Sequence, residues 1–365
     1  MKRKILFVGA VLLIVIFLLM QKNNPPSEKI KVGAIFPLTG SNATYGEMAK
    51  KGIDLALKQF PPGNIQVLYE DSQFQSLSAL NAYEKLKSED VKIFLTIGSQ
   101  VAATIGPKVV EDTLMNFELT AVTRKYNDGS PLTCRAALTV EPSAELLAAY
   151  IKERNLKRIA LLVTNDEQGV AYEKETAKLI RSFAEVVLSE KYLASENDFR
   201  TQLTRIKATN PDVLILISPG QQAQQILTQL QQLGFKKIIL SNNWTIENAS
   251  LTDLSLAEGV IFTSYRYDES FSGTDTETAA KFKRDFIEHY QQNPPIVAAT
   301  AYDAITLIEQ AVKEKGSLPT EISDFISGVK NFKGVSGVWT FDSNCEARQT
   351  ATLKTVKNGV IIVLQ

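Results

Sequence analysis

The chain has 365 residues, of which 44% are hydrophobic and 22% are charged. These proportions are ordinary for a folded protein, and the length excludes a small one-core protein and is enough for two lobes with separate cores. Lysine plus arginine number 40 and aspartate plus glutamate also number 40, so no net charge attracts nucleic acid, and we predict no nucleic-acid partner.

The N-terminus has the pattern of an export signal. Lys2, Arg3 and Lys4 precede an uninterrupted apolar run from Ile5 to Met20, a pattern that sends the rest of the chain out of the cytoplasm. No small-x-small site closes the run, which favours an uncleaved anchor over a cleaved signal peptide. We therefore predict an extracytoplasmic protein, in the periplasm or at the cell surface, anchored to the cytoplasmic membrane by residues 5–20, with residues 1–27 as anchor and linker.

Beyond residue 28 the chain alternates between strand-like and helix-like segments. The first predicted strands are Lys31–Phe36, Ile65–Asp71 and Ile93–Ile97, and the helices that follow them are Tyr45–Phe60, Ser76–Glu89 and Val101–Asp112. This βαβ order predicts a parallel sheet with helices on both faces. The stretch from Phe117 to Val140 is less regular and contains a strong turn signal, Asn-Asp-Gly-Ser-Pro, at residues 127–131.

A second α/β unit is predicted after this stretch. Its predicted elements are helix Ser143–Arg154, strand Arg158–Val163, helix Val170–Phe183, strand Val186–Leu193, helix Phe199–Ala208, strand Val213–Ser218, helix Gln221–Leu233 and strand Lys237–Leu240. Three further predicted helices, Thr278–Gln291, Ala298–Lys315 and Thr320–Val329, have no strand between them. A simple tandem of two Rossmann-like units does not explain these helices, so we expect them to return and cover the first unit.

The first strand-to-helix turn lacks the motifs of a nucleotide site. A dinucleotide fingerprint needs G-x-G-x-x-G and a P-loop needs G-x-x-x-x-G-K-[ST], so that backbone N–H groups surround a phosphate. Here Gly40 and Gly46 are too far apart, no Lys-Ser or Lys-Thr follows, and Pro37 has no N–H to donate. We predict no cofactor.

Several segments of the sequence resemble the type I periplasmic binding proteins of branched-chain amino-acid ABC transporters. The resemblance rests on VGAIFPLTG, Tyr45-Gly46, GIDLAL, YEDSQ, LTRIKATNPDVLIL, QQILTQLQQLGFKK, LAEGVIFTS, FKRDFIEHYQQNP, AATAYDAITLIEQAV and GVWTFDSN, in the family's order. It implies an α/β fold with two Rossmann-like lobes, each with a parallel sheet, joined by a three-segment hinge. We place lobe 1 at residues 28–140 plus 268–335, and lobe 2 at residues 141–267 plus 336–365.

The resemblance also implies ligand residues in the first lobe, at the carboxyl ends of strands where open α/β sheets bind ligands. Ser99, Gln100, Ala121 and Thr123 follow the third and fourth strands, where family members offer hydroxyls and amides to a ligand carboxylate. Tyr45 matches the aromatic residue that flanks the ligand. Two alternatives stay open: Ser99 as a helix N-cap, and Tyr45 as a surface aromatic residue at a helix start.

The second lobe departs further from the family pattern. Its predicted ligand residues at strand ends are Gln168, Ser218, Asn243 and Trp244, with Trp244 as an apolar wall. Where many amino-acid binders have an acid that pairs with the ligand ammonium, this chain has Asn242-Asn243-Trp244. The omission is costly for a buried ammonium. Glu141, Asp166 and Glu167 are candidate replacements, although acids in such positions are more often solvated loop residues.

Nothing in the sequence supports catalysis. The one histidine, His289, lies among aromatic residues at helical spacing, so we predict no catalytic residue and no metal site. Cys134 and Cys345 are the two cysteines, and their spacing is compatible with a disulfide near the hinge and with two free thiols.

Two functions remain. In the first, the protein captures a small polar ligand, such as an amino acid, an amide or a related carboxylate, and delivers it to an ABC permease. In the alternative, it is a membrane-anchored sensory or regulatory module that acts with a separate signalling partner.

Overall fold

A computed structural model describes residues 29–40, 42–59, 64–122, 129–137, 139–193, 195–247, 251–265, 277–348 and 351–364. The predicted anchor at residues 5–20 and the predicted ligand residue Thr123 lie outside the described residues. Within the described ranges, no helix is both long enough and apolar enough to cross a membrane.

The first lobe is built on a five-stranded sheet whose strands are all parallel, in the order β2-β1-β3-β4-β5. The strands are β1 (Ile30–Phe36), β2 (Ile65–Asp71), β3 (Ile93–Thr96), β4 (Met115–Glu118) and β5 (Thr133–Arg135), and the helices between them are α1 (Ala43–Lys58), α2 (Ser76–Ser88) and α3 (Ser99–Glu111). The short strand β4 ends within the irregular stretch Phe117–Val140, and β5 lies inside it.

The second lobe is built on a seven-stranded sheet in the order β15-β14-β10-β9-β8-β6-β7. Its strands are β6 (Arg158–Thr164), β7 (Glu185–Tyr192), β8 (Val213–Ile217), β9 (Ile238–Asn242), β10 (Ile261–Tyr265), β14 (Ala351–Lys357) and β15 (Val360–Val363). Its helices are α4 (Val140–Glu153), α5 (Glu167–Ile180), α6 (Arg200–Ala208), α7 (Gly220–Gln232) and the short α8 (Asn243–Ile246). Strands β6 to β10 are parallel, whereas β14 is antiparallel to both neighbours.

Buried strands explain the continuous apolar runs of the second lobe. In β6, Leu161 and Val163 belong to the core on one face of the sheet, and Ala160 and Leu162 belong to the core on the other. Successive side chains of a strand point to opposite faces, so a strand covered on both faces needs apolar residues at every position. The α/β prediction with two Rossmann-like lobes and parallel sheets is confirmed.

Three helices late in the chain pack on the first lobe: α9 (Glu277–Tyr290), α10 (Ile296–Lys315) and α11 (Pro319–Gly328). Helix α10 lies against α1 at very short range, since a Cβ added to Gly52 would be 2.0 Å from the carbonyl oxygen of Ala298. Only glycine permits this approach.

A small sheet of β11 (Phe332–Lys333), β12 (Val338–Phe341) and β13 (Ala347–Arg348) follows. Trp339 and Phe341 are fully buried in the core of the first lobe. Our predicted boundary at residue 335 would give them to the second lobe, whereas this packing favours a later crossing, between β13 and β14. Cys134 and Cys345 form a disulfide, with their Cα atoms 4.5 Å apart, which ties β5 to the segment before β13.

Candidate ligand site between the lobes

A cleft lies between the lobes, at the carboxyl ends of the strands. It is lined from the first lobe by Tyr45, Phe74, Ile97, Gly98, Ser99, Leu119, Thr120, Val122, Ile296, Val297 and Thr300, and from the second by Gln168, Asn243, Trp244 and Glu247. Apolar walls with a few converging polar groups are typical of a small-molecule site.

Five of the predicted ligand residues line this cleft: Tyr45, Ser99, Gln168, Asn243 and Trp244. Tyr45 lies in the first turn of α1 and packs against the buried clusters of both lobes, so it is not merely a surface aromatic residue.

Ser99 is the first residue of α3, and the N-cap position belongs to Gly98. The Ser99 hydroxyl accepts a hydrogen bond from the backbone N–H of Val122, at 3.2 Å. A hydroxyl has one hydrogen of its own to donate, so Ser99 can both hold the β4 loop and face a ligand.

The loop after β4 lines the cleft with different residues from those predicted. Thr120 and Val122 face the cleft, whereas Ala121, between them, is fully buried against Ala102 on the other side. The predicted residue Ala121 is thus one position away from lining residues on either side of it.

Two other predicted residues do not line the cleft. Gln100 is exposed, and its side-chain amide donates to the Ser76 hydroxyl at 3.3 Å. Ser218 is fully buried and accepts a hydrogen bond from the Tyr192 hydroxyl at 2.5 Å. The hydroxyl of Ser218 therefore serves the interior of the second lobe.

A buried carboxylate that the sequence did not point to, Glu118, lies behind the first-lobe wall. Its Oε1 atom accepts backbone N–H groups from Gly98 at 3.1 Å, Thr120 at 2.9 Å and Ala121 at 2.8 Å. Its Oε2 atom accepts the hydroxyl of Thr96. Burial raises the pKa of Glu118 to about 7, and the hydrogen bonds that it accepts oppose the rise.

The second-lobe wall is positioned by two capped helices. Asn242 caps α8, since its Oδ1 atom accepts from the backbone N–H of Thr245 at 3.1 Å, and this short helix carries Asn243 and Trp244. Asp166 caps α5 by accepting from the N–H of Gly169 at 2.8 Å, which places Gln168 in the first turn. A Cβ on Gly169 would lie 2.0 Å from the carbonyl oxygen of Thr164, so the close packing of α5 on β6 requires glycine.

Glu247 supplies an acid to the cleft one helical turn beyond the position where we looked for it. Its carboxylate accepts from Lys354 Nζ at 2.7 Å and from the hydroxyl of Ser264. Lys354 is only 3% exposed, so the cleft wall contains a largely buried ion pair. We did not predict this acid because we expected it directly after β9, where the sequence is Asn-Asn-Trp, whereas Glu247 follows the short helix α8.

The three acids proposed as replacements lie elsewhere. Glu141, Asp166 and Glu167 line a second, neighbouring cavity that shares Val122 with the cleft. Desolvation raises the pKa of Asp166, which caps α5. Across the described ranges, no group of three or more His, Cys, Asp and Glu side chains is arranged to hold a metal ion. His289 lies on α9, where its Nδ1 atom is 2.8 Å from the carbonyl oxygen of Asp285.

Comparison with known proteins agrees with this architecture. Residues 29–357 match the family model described as periplasmic binding protein. The Leu/Ile/Val-binding protein of Escherichia coli is 24% identical over 331 residues, 87% of each chain. The substrate-binding protein of a branched-chain amino-acid transporter from Streptococcus pneumoniae, in complex with isoleucine, has a TM-score of 0.80 and 24% identity over 92% of this chain and 99% of that one.

A second solved structure shows that the fold is shared by binders of other solutes. The solute-binding protein of an ABC transporter from R. palustris, in complex with benzoate, has a TM-score of 0.82 and 18% identity over 92% of this chain and 95% of that one. The chain is a type I periplasmic binding protein and belongs to the periplasmic binding protein family, whose model matches residues 29–357.

Proposed function

We propose that the chain is an extracytoplasmic receptor that captures a small polar ligand, an amino acid, an amide or a related carboxylate, in the cleft and delivers it to an ABC permease. The observation that carries the proposal is the cleft itself, in which groups from both lobes converge at strand ends. The chain binds and releases its ligand without catalysis.

The lining residues suggest how a ligand is held. Tyr45 and Trp244 supply aromatic walls, Ser99 and Thr120 supply hydroxyls from the first lobe, and Glu247 supplies an acceptor from the second. A ligand that contacts both lobes favours the closed arrangement over the open one, so closure is a ligand-driven population shift. The two similar solved structures, one in complex with isoleucine and one with benzoate, support a small organic solute.

A fitting ligand is expected to stabilise and compact the protein. Binding to the closed native form alone stabilises it by about 2.7 kcal/mol when the free ligand is at 100 times its dissociation constant. The experiment screens amino acids, amides and small acids by thermal unfolding of the chain from residue 28 onward. Each hit is then measured by X-ray scattering. A validated ligand that leaves the radius of gyration unchanged would rule out closure.

Replacing Ser99 by alanine is expected to weaken binding of the best ligand from this screen by about 1–3 kcal/mol, roughly five- to 150-fold. The physical reason is that a ligand oxygen would lose its donor in a dry cleft. Calorimetry measures the affinity, and Ser88→Ala, at an exposed serine away from the cleft, is the matched control. Equal affinity in both variants would remove Ser99 from the site.

The alternative, a membrane-anchored sensory or regulatory module with a separate signalling partner, rests on the apolar run Ile5–Met20 and the absence of an evident cleavage site after it. We expect the intact mass of the protein extracted from membranes to include residues 1–20. A mature chain that starts between Asn23 and Ser27 would identify a cleaved signal instead and would remove the anchor from the proposal.

A further inference from the structure

The loop between β2 and α2 contributes one aromatic side chain to the cleft, Phe74, which is not among the predicted ligand residues. Phe74 is half-buried and packs against the buried cluster of the first lobe. With Tyr45 and Trp244, it brings three aromatic rings to the cleft. Aromatic rings in a small-molecule site supply rigid apolar area, so Phe74 bounds the space that is open to the apolar part of a solute.

The backbone that carries Phe74 has an uncommon conformation. Gln73 and Phe74 have φ angles of 49° and 56°, so two consecutive residues with side chains adopt the left-handed conformation. This conformation is costly for a bulky residue, because its Cβ atom crowds the backbone. Residues held in such conformations concentrate at ligand-binding sites and switch regions. Here the costly conformation belongs to a residue that lines the cleft.

Two polar side chains hold this loop in place. Asp71 Oδ1 accepts the backbone N–H groups of Gln73 and Leu38, each at 2.8 Å. Ser72 Oγ accepts the backbone N–H of Phe74 at 3.2 Å. Leu38 lies in the loop that leads from β1 into α1, so one carboxylate joins the loops that precede α1 and α2. Such local bonds from side chain to backbone fix the conformation of a turn.

The ring of Phe74 also lies against the backbone of Gly98, between β3 and α3. A Cβ atom added to Gly98 would be 2.5 Å from Cε2 of the Phe74 ring, and Gly98 has a φ angle of 104°. Glycine is suited to both the close approach and the positive φ. Moving the ring aside for a larger solute would break this contact and its packing on the first-lobe core.

We propose that Phe74 is a specificity-determining residue, whose ring closes the first-lobe side of the cleft, limits the apolar part of the solute to a short aliphatic group and excludes a phenyl group. Asp71 is the positioning residue that holds the loop of Phe74. This inference rests on the proposed solute-binding function and narrows its ligand by size. The position of the ring is testable without any solute.

The experiment without a solute measures the coupling between Phe74 and Gly98 by urea unfolding. Gly98→Ala is expected to lower the unfolding midpoint of the wild type more than that of Phe74→Gly, because only the strain of the positive φ remains once the ring is gone. Phe74→Gly should fold, since glycine adopts the positive φ of position 74. Leu77→Ala, which truncates an exposed apolar residue of α2, is the matched control background and should behave as the wild type. Equal losses in the wild type and in Phe74→Gly would show that the ring moves aside freely, and would overturn the proposal.

Selection by size is measured by calorimetry with three pairs of probes, in each of which a benzyl group replaces an isobutyl group. The pairs are L-leucine with L-phenylalanine, isovalerate with phenylacetate, and isovaleramide with phenylacetamide. The wild type is expected to bind the isobutyl member more tightly, and Phe74→Gly and Phe74→Ala should shift the affinity ratio towards the benzyl member by about tenfold or more. Leu77→Ala should leave the ratio unchanged.

The two ways in which this experiment fails are distinct. A wild type that prefers the benzyl member, or a ratio that is the same in Phe74→Gly and in the wild type, overturns this inference alone, because the receptor function requires only that one member binds. Absence of binding of every probe to every variant counts against the receptor function and overturns the inference with it.

Discussion

Replacing Lys354 by methionine is expected to lower the free energy of unfolding by about 3–5 kcal/mol, because it leaves the Glu247 carboxylate without its cation in a largely buried place. Lys354 Nζ lies 2.7 Å from Glu247 Oε1, and the lysine side chain is 4% exposed. Urea unfolding followed by circular dichroism measures the loss.

The control is an exposed pair in the same lobe. Lys178 Nζ lies 2.9 Å from Glu175 Oε1, but its side chain is 62% exposed, so Lys178→Met should cost no more than about 1 kcal/mol. The double variant Lys354→Met with Glu247→Gln should recover part of the stability, since it removes the uncompensated charge. Equal losses for Lys354→Met and Lys178→Met would show that the Glu247 pair is effectively solvated.

Removing the disulfide with Cys134→Ala and Cys345→Ala is expected to cost about 2–4 kcal/mol. The bond joins residues 211 positions apart, and a long closed loop restricts the unfolded chain most strongly. The urea midpoints of the variant and of the wild type, each with and without reductant, measure the effect.

Reductant separates the bond from the loss of packing. It should lower the midpoint of the wild type and leave the double alanine variant unchanged. If the wild type has the same midpoint with and without reductant, and free thiols are titrated in both samples, then the two cysteines are not bonded in the folded protein.

The sequence predicted elements that have a clear apolar pattern, including the short strand β3, and missed elements that lack one. Strands β6 and β8 are continuous apolar runs and were predicted within one residue of their observed ends. Strand β4, with the sequence Met-Asn-Phe-Glu, alternates apolar and polar residues in the manner of a half-exposed strand, yet all four residues are buried. Its polar side chains are satisfied by groups on β3 and the strand-end loops, and such partners are invisible in a local pattern.

The sequence predicted which strand ends form the candidate site, but it did not predict every residue that lines it. Five predicted residues line the cleft because the carboxyl ends of parallel strands meet there. Thr120 was missed by one position, because the sequence does not determine which way each side chain of an irregular loop points. Glu118 and Glu247 were missed for a different reason: Glu118 is held in part by Thr96 on β3 and by Gly98, and Glu247 by Lys354, and these contacts form only in the folded protein.

The order of the segments of the two lobes along the chain affects when each lobe can fold during synthesis. The first lobe lacks α10, against which α1 packs, until residue 315 has been made, and the second sheet lacks β14 and β15 until residue 363. The core of the first lobe therefore stays incomplete until late in synthesis, whereas the second lobe takes nearly all of its buried core residues from the stretch between residues 122 and 262 and lacks only the edge of its sheet. If the chain crosses the membrane as an extended polypeptide, the late completion of the first-lobe core keeps that lobe unfolded during the crossing. Cys134 then forms its disulfide with Cys345 only after both have crossed.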